Sequence, residues 1–520
     1  MKTKQFLWEF PVRLSKLSKK DQSSYRYESF CKMKSEIYKP STSFLFILGW
    51  YLAYTFLNPG FAWFETPTYE LIMNIIRTKS IASESQLPGG VFFQAPNGLF
   101  YDAHDIGATL FSLPVAWATY LIISLLGLVS TTKHLALTCG FLGPLCMAVS
   151  LYFFFITLVR FYNCTPWHAF LSSLVLGTAT QVMVYSGSPS DITVSTMLLM
   201  MLFFYLKLFL EEKRLACLLF AFFISAFLMI TRITTAPVFL LVLVSILAAR
   251  DIPRILKIKG LMAAFLILLP ALVWLVYYNY VRTGHPLISP LTNNDAGRLD
   301  FSYYRESLVG TIFSPSKGLL IFNPMLVFLP FALIRHRSLL RLEIAFILLL
   351  FFGTLVRTGA MKQWTGGGGW GARYYTYMIP LFFIPIGIMI DRCFTDKRLV
   401  KKVIILWIIG FLINAAAMLT NWHYRQSLLG RRLVPWSLYG QPVDAVVGLV
   451  KNFLRLLGMN IPLEIVDGAS RANILASNSI NVWWLNVRYF GVPLSICILV
   501  GVVQVIFVFV IFRKVLRAIN

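Results

Sequence analysis

Residues that could do chemistry lie in a few hydrophilic segments of a chain that is otherwise strongly apolar. The first segment, 58–105, carries Glu65 in "FETPTY" and the run "YDAHD", which contains Asp102, His104 and Asp105. A connection longer than about 12 to 15 residues tends to bind or catalyse, or to be disordered. Carboxylates held against a bilayer are costly unless they are hydrated, paired or used. We therefore expect this loop to hold reactive groups.

Glu65 lies two residues before Pro67, and this order favours a helix start here. The helix dipole favours the charged form of a carboxylate near a helix N-terminus. A charged carboxylate is what a general base needs, but a helix cap explains the same residue equally well.

The three polar residues of "YDAHD" lie within one turn of each other. Their spacing is compatible with a metal site, a proton relay or a hydrogen-bonded loop end. A metal ion needs more ligands than this run supplies, so a structural role or substrate contact is the favoured interpretation.

Two later segments place basic residues beside glycines. "FSPSKGLLIFNP" contains Lys317, and "WTGGGGWGARYY" contains Arg373 after four glycines. Glycines let backbone N–H groups approach an anion, and Lys and Arg are the usual phosphate partners. The pair predicts a phosphate site at the membrane surface, although a mobile loop would also explain the glycines. Asp191, in "SGSPSD", starts an apolar stretch, where a helix N-cap is the simpler interpretation.

The composition identifies the class of protein. The 520 residues are 58% hydrophobic and 13% charged, with a mean hydropathy of +0.70, which excludes a set of ordinary soluble domains. Apolar stretches recur that can cross a hydrocarbon core of about 30 Å, and helices suit such continuous runs. The fold class predicted is an all-α polytopic membrane protein.

Charge and cysteine patterns exclude other classes. The net charge of +25 arises from Lys and Arg clusters between the apolar runs, as the positive-inside rule predicts, so no nucleic-acid partner is expected. The seven cysteines are scattered without a CxxC pair, which predicts neither a disulfide framework nor a zinc site.

The order of apolar and polar stretches predicts about twelve crossings. The expected spans are 43–57, 106–129, 135–160, 190–210, 215–231, 234–249, 260–281, 319–334, 341–356, 374–391, 403–420 and 489–512. The remaining divisions are a basic cytoplasmic tail, 1–42, an external segment, 421–488, and a last span with its cytoplasmic end, 489–520. Both termini are expected in the cytoplasm of a cell whose plasma (inner) membrane holds the protein.

One apolar stretch conflicts with this topology. If 167–185 crossed in addition to the twelve, five later basic clusters would become external, against the positive-inside rule. We therefore expect 167–185 to dip into the membrane or to lie on its outer face without crossing.

A series of motifs, in order along 43–420, resembles the GT-C superfamily of membrane glycosyltransferases. The motifs are the acidic residue followed by "xPxY", "GLFYDAHDIGATLFSLP", "YSGSPSD", "NYVRTGHPL", "FSPSKGLLIFNP" and "WTGGGGWGARYYTYMIPL". They are most similar to polyprenyl-phosphate-dependent enzymes related to protein O-mannosyltransferases and aminoarabinose transferases. The resemblance implies a GT-C-like helical bundle with a long first external loop.

The resemblance also implies roles for single residues. Glu65 would be the base or contact the acceptor, Asp191 the second acidic position, and Lys317 and Arg373 the ligands of the lipid phosphate. Further contacts to the acceptor or donor sugar would come from the first loop, through Tyr69, Asp102, His104 and Asp105. This sequence departs from the family in having a single Glu followed by Thr66, and no DxD, where Asp is common.

The implied reaction transfers a sugar from a polyprenyl-phosphate donor to a lipid, glycan or protein acceptor on the outer face. Glu65 would deprotonate the acceptor hydroxyl, which attacks the anomeric carbon with inversion. No cofactor is certain, and a divalent metal ion is the one candidate. A transporter or flippase is the alternative, but it predicts ionisable residues inside the spans, and here they cluster outside. A noncatalytic scaffold is the third class.

Overall fold

The computed structural model describes residues 39–58, 66–84, 86, 92–287, 290, 300–361, 364–366, 369–420, 440–463, 480–486 and 492–519. Glu65 lies outside these residues, as do the tail before residue 39 and most of 421–488.

Helices form most of the described chain, and the all-α prediction is confirmed. In the first half they are α1 Pro40–Leu57, α2 Thr66–Thr78, α3 Gly107–Leu125, α4 Thr132–Gly140, α5 Leu142–Phe161, α6 Pro166–Thr178, α7 Val182–Tyr185, α8 Asp191–Glu212, α9 Leu215–Thr231, α10 Ala236–Ala248 and α11 Arg254–Thr283. In the second half they are α12 Tyr304–Phe313, α13 Leu319–Phe322, α14 Leu329–Arg335, α15 Arg341–Gly359, α16 Ile379–Arg392, α17 Lys397–Leu419, α18 Gln441–Leu456, α19 Trp483–Asn486 and α20 Leu494–Ile519. Short 3-10 helices are Ile233–Thr235, Phe301–Tyr303, Pro324–Phe328 and Arg373–Met378.

A small hairpin lies in the first long loop. Strands β1 Phe92–Gln94 and β2 Phe100–Asp102 pair antiparallel, with Phe92 opposite Asp102. The turn between them uses Gly98 at a φ of 81°, a left-handed conformation that favours glycine. The hairpin therefore ends at the polar run "YDAHD".

The bundle has two chemically different ends. At one end, which we call the basic end, the Arg160 guanidinium pairs with Glu212, and Lys213 pairs with Asp251. The other end carries Asp105, Asp191, Arg232 and Arg373, and we call it the site end. Between them, α5, α8 and α16 form the centre of the core, and α16 is buried along almost its whole length.

The segment predicted to lie on the outer face without crossing instead traverses the bundle. Before α6, Thr165 donates through its N–H (2.9 Å) and its hydroxyl (2.6 Å) to Asp391 at the basic end. After α7, the Tyr185 hydroxyl donates to the Trp370 carbonyl (3.0 Å) at the site end. The re-entrant prediction for 167–185 is wrong.

A second segment compensates for this crossing. Helix α4 continues through Phe141 into α5 as one apolar run, His134–Phe161, and Asn58 at the site end donates to Gly140 where the two meet. The start of α4 therefore projects beyond the site end, where the Arg77 side chain of α2 reaches the Ser130 carbonyl (2.8 Å). Both ends of α3 thus lie at the site end, and the predicted crossing at 106–129 is wrong. Because one crossing is lost and one gained, the later loops keep their predicted sides.

Eight helices in the described part of the chain are long and apolar enough to span a membrane by themselves. This set includes α3, since length and hydropathy do not register where the ends of a helix lie. The number of twelve crossings stays a prediction.

Candidate functional site

The hairpin end is bound to α11 by an arginine that is 0% exposed. The Arg282 guanidinium donates to the carbonyls of Asp102 (3.2 Å), Ala103 (3.3 Å) and His104 (3.0 Å), and lies 3.7 Å above the Tyr278 ring. One arginine therefore satisfies three consecutive carbonyls of a loop. The conformation of "YDAHD" is fixed by α11.

Within this run the predicted residues have different surroundings. The buried Asp102 carboxylate accepts a hydrogen bond from the His104 backbone N–H (2.9 Å) and lies 2.9 Å from His104 Nδ1. This is a locally satisfied loop end, one of the structural interpretations of the motif. The His104 ring remains 38% exposed at the surface of the site.

Asp105 points from the same run into the site. One carboxylate oxygen accepts from the Ile233 N–H (2.9 Å), and the other lies 3.9 Å from Arg282. Burial raises the pKa of Asp105, opposed by the Ile233 N–H and by the charges of Arg282 and Arg357, while Asp191 raises it further. Asp105 and Asp191 are therefore close enough to repel each other.

Asp191 is the first residue of α8, but it is not the cap. The cap is Ser190, whose hydroxyl accepts from the Thr193 N–H (3.2 Å). The Asp191 carboxylate instead pairs with the buried Arg232 (3.2 Å), while its own side chain is 35% exposed. The capping interpretation of Asp191 is wrong, and its carboxylate faces the site.

Tyr374 connects this acidic half of the site to its basic half. Its ring centroid lies 5.8 Å from the Arg232 guanidinium and 5.4 Å from the Arg373 guanidinium. Arg232 also lies 5.2 Å from the Tyr377 ring below. Both guanidiniums thus lie within cation–π range of an aromatic ring, which stabilises their positive charge at the site.

Arg357 completes this cluster. It lies in the last turn of α15, half-buried, within electrostatic reach of Arg232, Asp105 and Tyr374. It makes no hydrogen bond or ion pair to any residue that the structure describes. A half-buried guanidinium in this state favours an added anion, because its donors have no acceptor among the residues that the structure describes.

The Arg373 side chain lies directly on the glycine loop. A methyl group at Gly369 would come within 2.2 Å of Arg373 Cδ, and one at Gly366 within 2.7 Å of its Cγ. The glycines therefore serve close packing under Arg373, and this packing explains two members of the run without a mobile loop.

Lys317 does not present its ammonium group to the surface. The side chain is 1% exposed, and Nζ donates to the Gly369 carbonyl. Burial and the nearby Arg373 charge hold the pKa of Lys317 well below its usual range. In this structure Lys317 supports the loop on which Arg373 lies, and direct binding of the lipid phosphate by Lys317 stays a prediction.

Gln441, the first residue of α18, holds the same loop from the other side. Its amide Nε2 donates to the Gly369 carbonyl (2.9 Å), and its Oε1 accepts from the Gly371 N–H (2.9 Å). Behind the loop, the buried Trp370 indole donates to Asn414 (3.0 Å). With the Tyr185 hydroxyl of α7 on the Trp370 carbonyl, the turn that precedes Arg373 is therefore anchored by three helices, α7, α17 and α18.

Tyr69 is not available to a sugar. Its side chain is 1% exposed and packs with Ile72 and Met73 of α2 against Ala116 and Leu135. This small cluster joins α2, α3 and α4. Since α2 begins at Thr66, with Pro67 as its second residue, the predicted helix start is confirmed and Glu65 directly precedes it.

No group of three His, Cys, Asp or Glu side chains that could hold a metal ion occurs among the described residues. Asp105 and Asp191 are engaged with a backbone N–H and with Arg232, respectively. The described donors do not fit a metal centre.

Sequence reasoning missed three groups at the site. Arg357 and Gln441 lie on helices, and Arg282 lies in a motif, "NYVRTGHPL", that was matched without a role. For Arg357 a signal existed, because it follows the predicted span 341–356 on its expected outer side, where the positive-inside rule disfavours a basic residue. For Gln441 the sequence offers none.

The overall arrangement of helices is similar to that of two crystal structures of ArnT from Cupriavidus metallidurans. The structure bound to undecaprenyl phosphate is 13% identical in sequence and has a TM-score of 0.47. The alignment covers 88% of this chain and 76% of that ArnT chain. The apo structure is 14% identical and has a TM-score of 0.44, and its alignment covers 84% of this chain and 72% of that ArnT chain. No protein-family model and no curated protein matches the sequence. Likeness at this level concerns helix arrangement and assigns no function or residue role to this chain.

Proposed function

We propose that this chain is a membrane glycosyltransferase that moves a sugar from a polyprenyl-phosphate donor to a lipid, glycan or protein acceptor. The supporting observation is the cluster of Arg232, Arg357 and Arg373 around Tyr374, at one end of an apolar bundle and beside Asp105 and Asp191. A lipid-linked phosphate has its charge at that depth, where an apolar bundle meets water.

The cluster suits the departing phosphate. As the bond from the anomeric carbon to the phosphate oxygen breaks, negative charge grows on the leaving group. Fixed guanidiniums near that oxygen stabilise the transition state more than the ground state. Arg357 and Arg373 would carry this role. Arg232, already paired with Asp191, would hold the carboxylate in place.

The acidic half suits the acceptor. Glu65, directly before α2, is proposed as the base that removes the acceptor proton, so that the hydroxyl attacks with inversion. Asp191 contributes a second carboxylate, fixed by Arg232 and partly exposed. His104 and Asp105 are proposed to contact sugar hydroxyls, since the His104 ring is accessible beside them.

The same proposal fixes the orientation. The basic end carries the clusters that the positive-inside rule keeps in the cytoplasm, and this supports the proposal that the site end faces the outer side of the plasma (inner) membrane. The lipids of that membrane would supply the donor laterally. The proposed steps use only side chains of this chain, and a chelator tests that point.

The test is transfer of labelled sugar from a polyprenyl-phosphate donor in membranes that contain the wild type, Glu65→Gln or Arg373→Gln at equal protein level. Transfer by the wild type is expected, with near-complete loss in Glu65→Gln and a loss of roughly a hundredfold to a thousandfold in Arg373→Gln. Arg341→Gln, at the opposite end of the bundle, is the matched control and should retain activity. Incubation with EDTA should leave wild-type transfer unchanged.

Two outcomes would contradict the proposal. Full activity of both variants would remove the proposed base and phosphate ligand from the chemistry. No transfer by the wild type with any donor, together with movement of the lipid-linked sugar across sealed vesicles, would favour a flippase.

A further inference from the structure

We infer that Gln441 is a positioning residue of the transferase, and that it sets the place of the Arg373 guanidinium through the Gly369–Gly371 turn. The inference rests on the proposed function. It assigns a role in the site to α18, which follows a segment whose sequence carries no sign of chemistry.

The Gln441 side chain joins the two ends of the Gly369–Gly371 turn, and we call this contact the clamp. One carboxamide bridges two backbone groups of a single turn, accepting from the Gly371 N–H and donating to the Gly369 carbonyl, each at 2.9 Å. Gln441 is 2% exposed, so neither bond competes with bulk water. The Gly369 carbonyl also accepts from Lys317 Nζ, so two donors fix its direction.

The backbone on both sides of the clamp is closely packed against neighbouring residues. A methyl group at Gly440 would lie 2.3 Å from Ser316 Oγ, so α18 starts in direct contact with the segment that carries Lys317. Gly371 has a φ of 57°, and a methyl group there would lie 2.5 Å from Gln181 Oε1. The turn is thus held in a left-handed conformation between two glutamines.

The position of the Gly369–Gly371 turn determines where Arg373 lies. The Arg373 N–H donates to the Gly371 carbonyl (2.9 Å), and its side chain rests on Gly366 and Gly369. A rotation of the turn would therefore move the guanidinium relative to Tyr374. Gln441 touches no reacting atom in this arrangement and acts through Arg373.

Helix α18 is a firm base for such a clamp. Its buried residues follow one stripe, which packs against α17. The members of that stripe are Gln441, Pro442, Asp444, Ala445, Gly448 and Asn452. The opposite face is apolar and exposed, as expected for a helix at a membrane interface.

The first test is a double-mutant cycle on kcat/KM for sugar transfer, with Gln441→Leu, Arg373→Gln and the double variant. Gln441→Leu should lower kcat/KM at least tenfold, and should cost nothing further when Arg373 is already replaced. An effect of equal size in both backgrounds would show a general structural role and overturn the inference. Gln504→Leu removes a glutamine that joins α20 to α1, and serves as the matched control with unchanged kcat/KM.

The second test uses Gln441→Glu and pH. A neutral carboxyl donates one hydrogen bond and accepts another, as the amide does, whereas a carboxylate only accepts and repels the Gly369 carbonyl. Activity of Gln441→Glu relative to the wild type should therefore rise as pH falls. A ratio that is constant with pH would contradict the clamp.

The two levels of proposal fail differently. Wild-type transfer combined with normal activity of Gln441→Leu would overturn the positioning role alone. Absence of transfer by the wild type would overturn the proposed function, and with it the reaction that Gln441 is inferred to serve.

Discussion

The substitution Gly369→Ala perturbs the position of Arg373 without removing any charge or hydrogen bond. The new methyl group would lie 2.2 Å from Arg373 Cδ, 2.9 Å from its Cβ and 3.0 Å from its Cγ. Ordinary contacts begin near 3.4 Å, so Cδ has to retreat by about 1.2 Å. Because Cβ and Cγ are also too close, a rotation at the tip of the side chain does not relieve the contact.

The size of the expected effect follows from this displacement. A misplacement of about 1 Å in a group that acts on the reacting centre can cost roughly a hundredfold in rate. Gly369→Ala should therefore lower transfer from the polyprenyl-phosphate donor by about a hundredfold. The residue that moves is the proposed ligand of the leaving phosphate.

The assay is initial-rate transfer of labelled sugar in membranes, with protein level and thermal unfolding measured on the same samples. Gly353→Ala is the control. Residue 353 lies within helix α15, and apart from that helix's own backbone no atom lies within 4 Å of the added methyl group. It should keep full activity and gain up to about 1 kcal/mol in helix stability. Normal transfer by Gly369→Ala would refute the reasoning, since Arg373 would then act from more than one position.

Three further predictions concern the charges of the site. Arg357→Gln should lower kcat/KM for the donor at least tenfold, as loss of a charge-assisted contact to phosphate costs about 1.5 to 3 kcal/mol; initial rates across a donor titration measure this, and an unchanged kcat/KM would exclude Arg357 from contact with the donor phosphate. Asp191→Asn should destabilise the protein by about 1 to 2 kcal/mol, less than for a fully buried pair because Asp191 is partly exposed, and leave Arg232 without its carboxylate; thermal unfolding in detergent is the measurement, and an unchanged melting temperature would contradict it. Burial raises the pKa of Asp105, so the folded chain keeps the Asp105 carboxyl protonated to a higher pH than the unfolded chain does. The stability of the fold therefore falls as pH rises from the unfolded pKa of Asp105 to its folded pKa. Asp105→Asn, which can still accept from the Ile233 N–H, should therefore melt higher than the wild type at neutral pH, with a difference that shrinks as pH falls; a constant difference would contradict the sign.

The sequence by itself determined the class of fold and the location of most of the site. Continuous apolar runs allow only helices across a bilayer, because backbone groups have no water to bond. The basic clusters between those runs, through the positive-inside rule, then put Asp105, Asp191 and Arg373 at one end of the bundle. The structure brings these three together, linked through Arg232 and Tyr374.

Tertiary structure alone decided which apolar segment crosses. Segments 106–129 and 167–185 are both apolar enough, and hydropathy sums residues without regard to their neighbours. Of the two segments, the one that contains α6 and α7 makes contacts at both ends of the bundle, whereas α3 is held at the site end by its connection to α4. The loops after residue 190 lie on the same sides in the two arrangements, so their basic clusters could not separate the two.

Tertiary structure also decided which residues meet the ligand. Lys317 and Gln441 reach Gly369 from positions 52 and 72 residues away along the chain, and Arg357 reaches Asp105 and Tyr374 from the end of a helix. A sequence motif reports the kind of side chain, but burial depends on contacts between distant segments. This is why Lys317, which matched the phosphate motif, became a buried support, while Arg357, which matched none, became the proposed ligand.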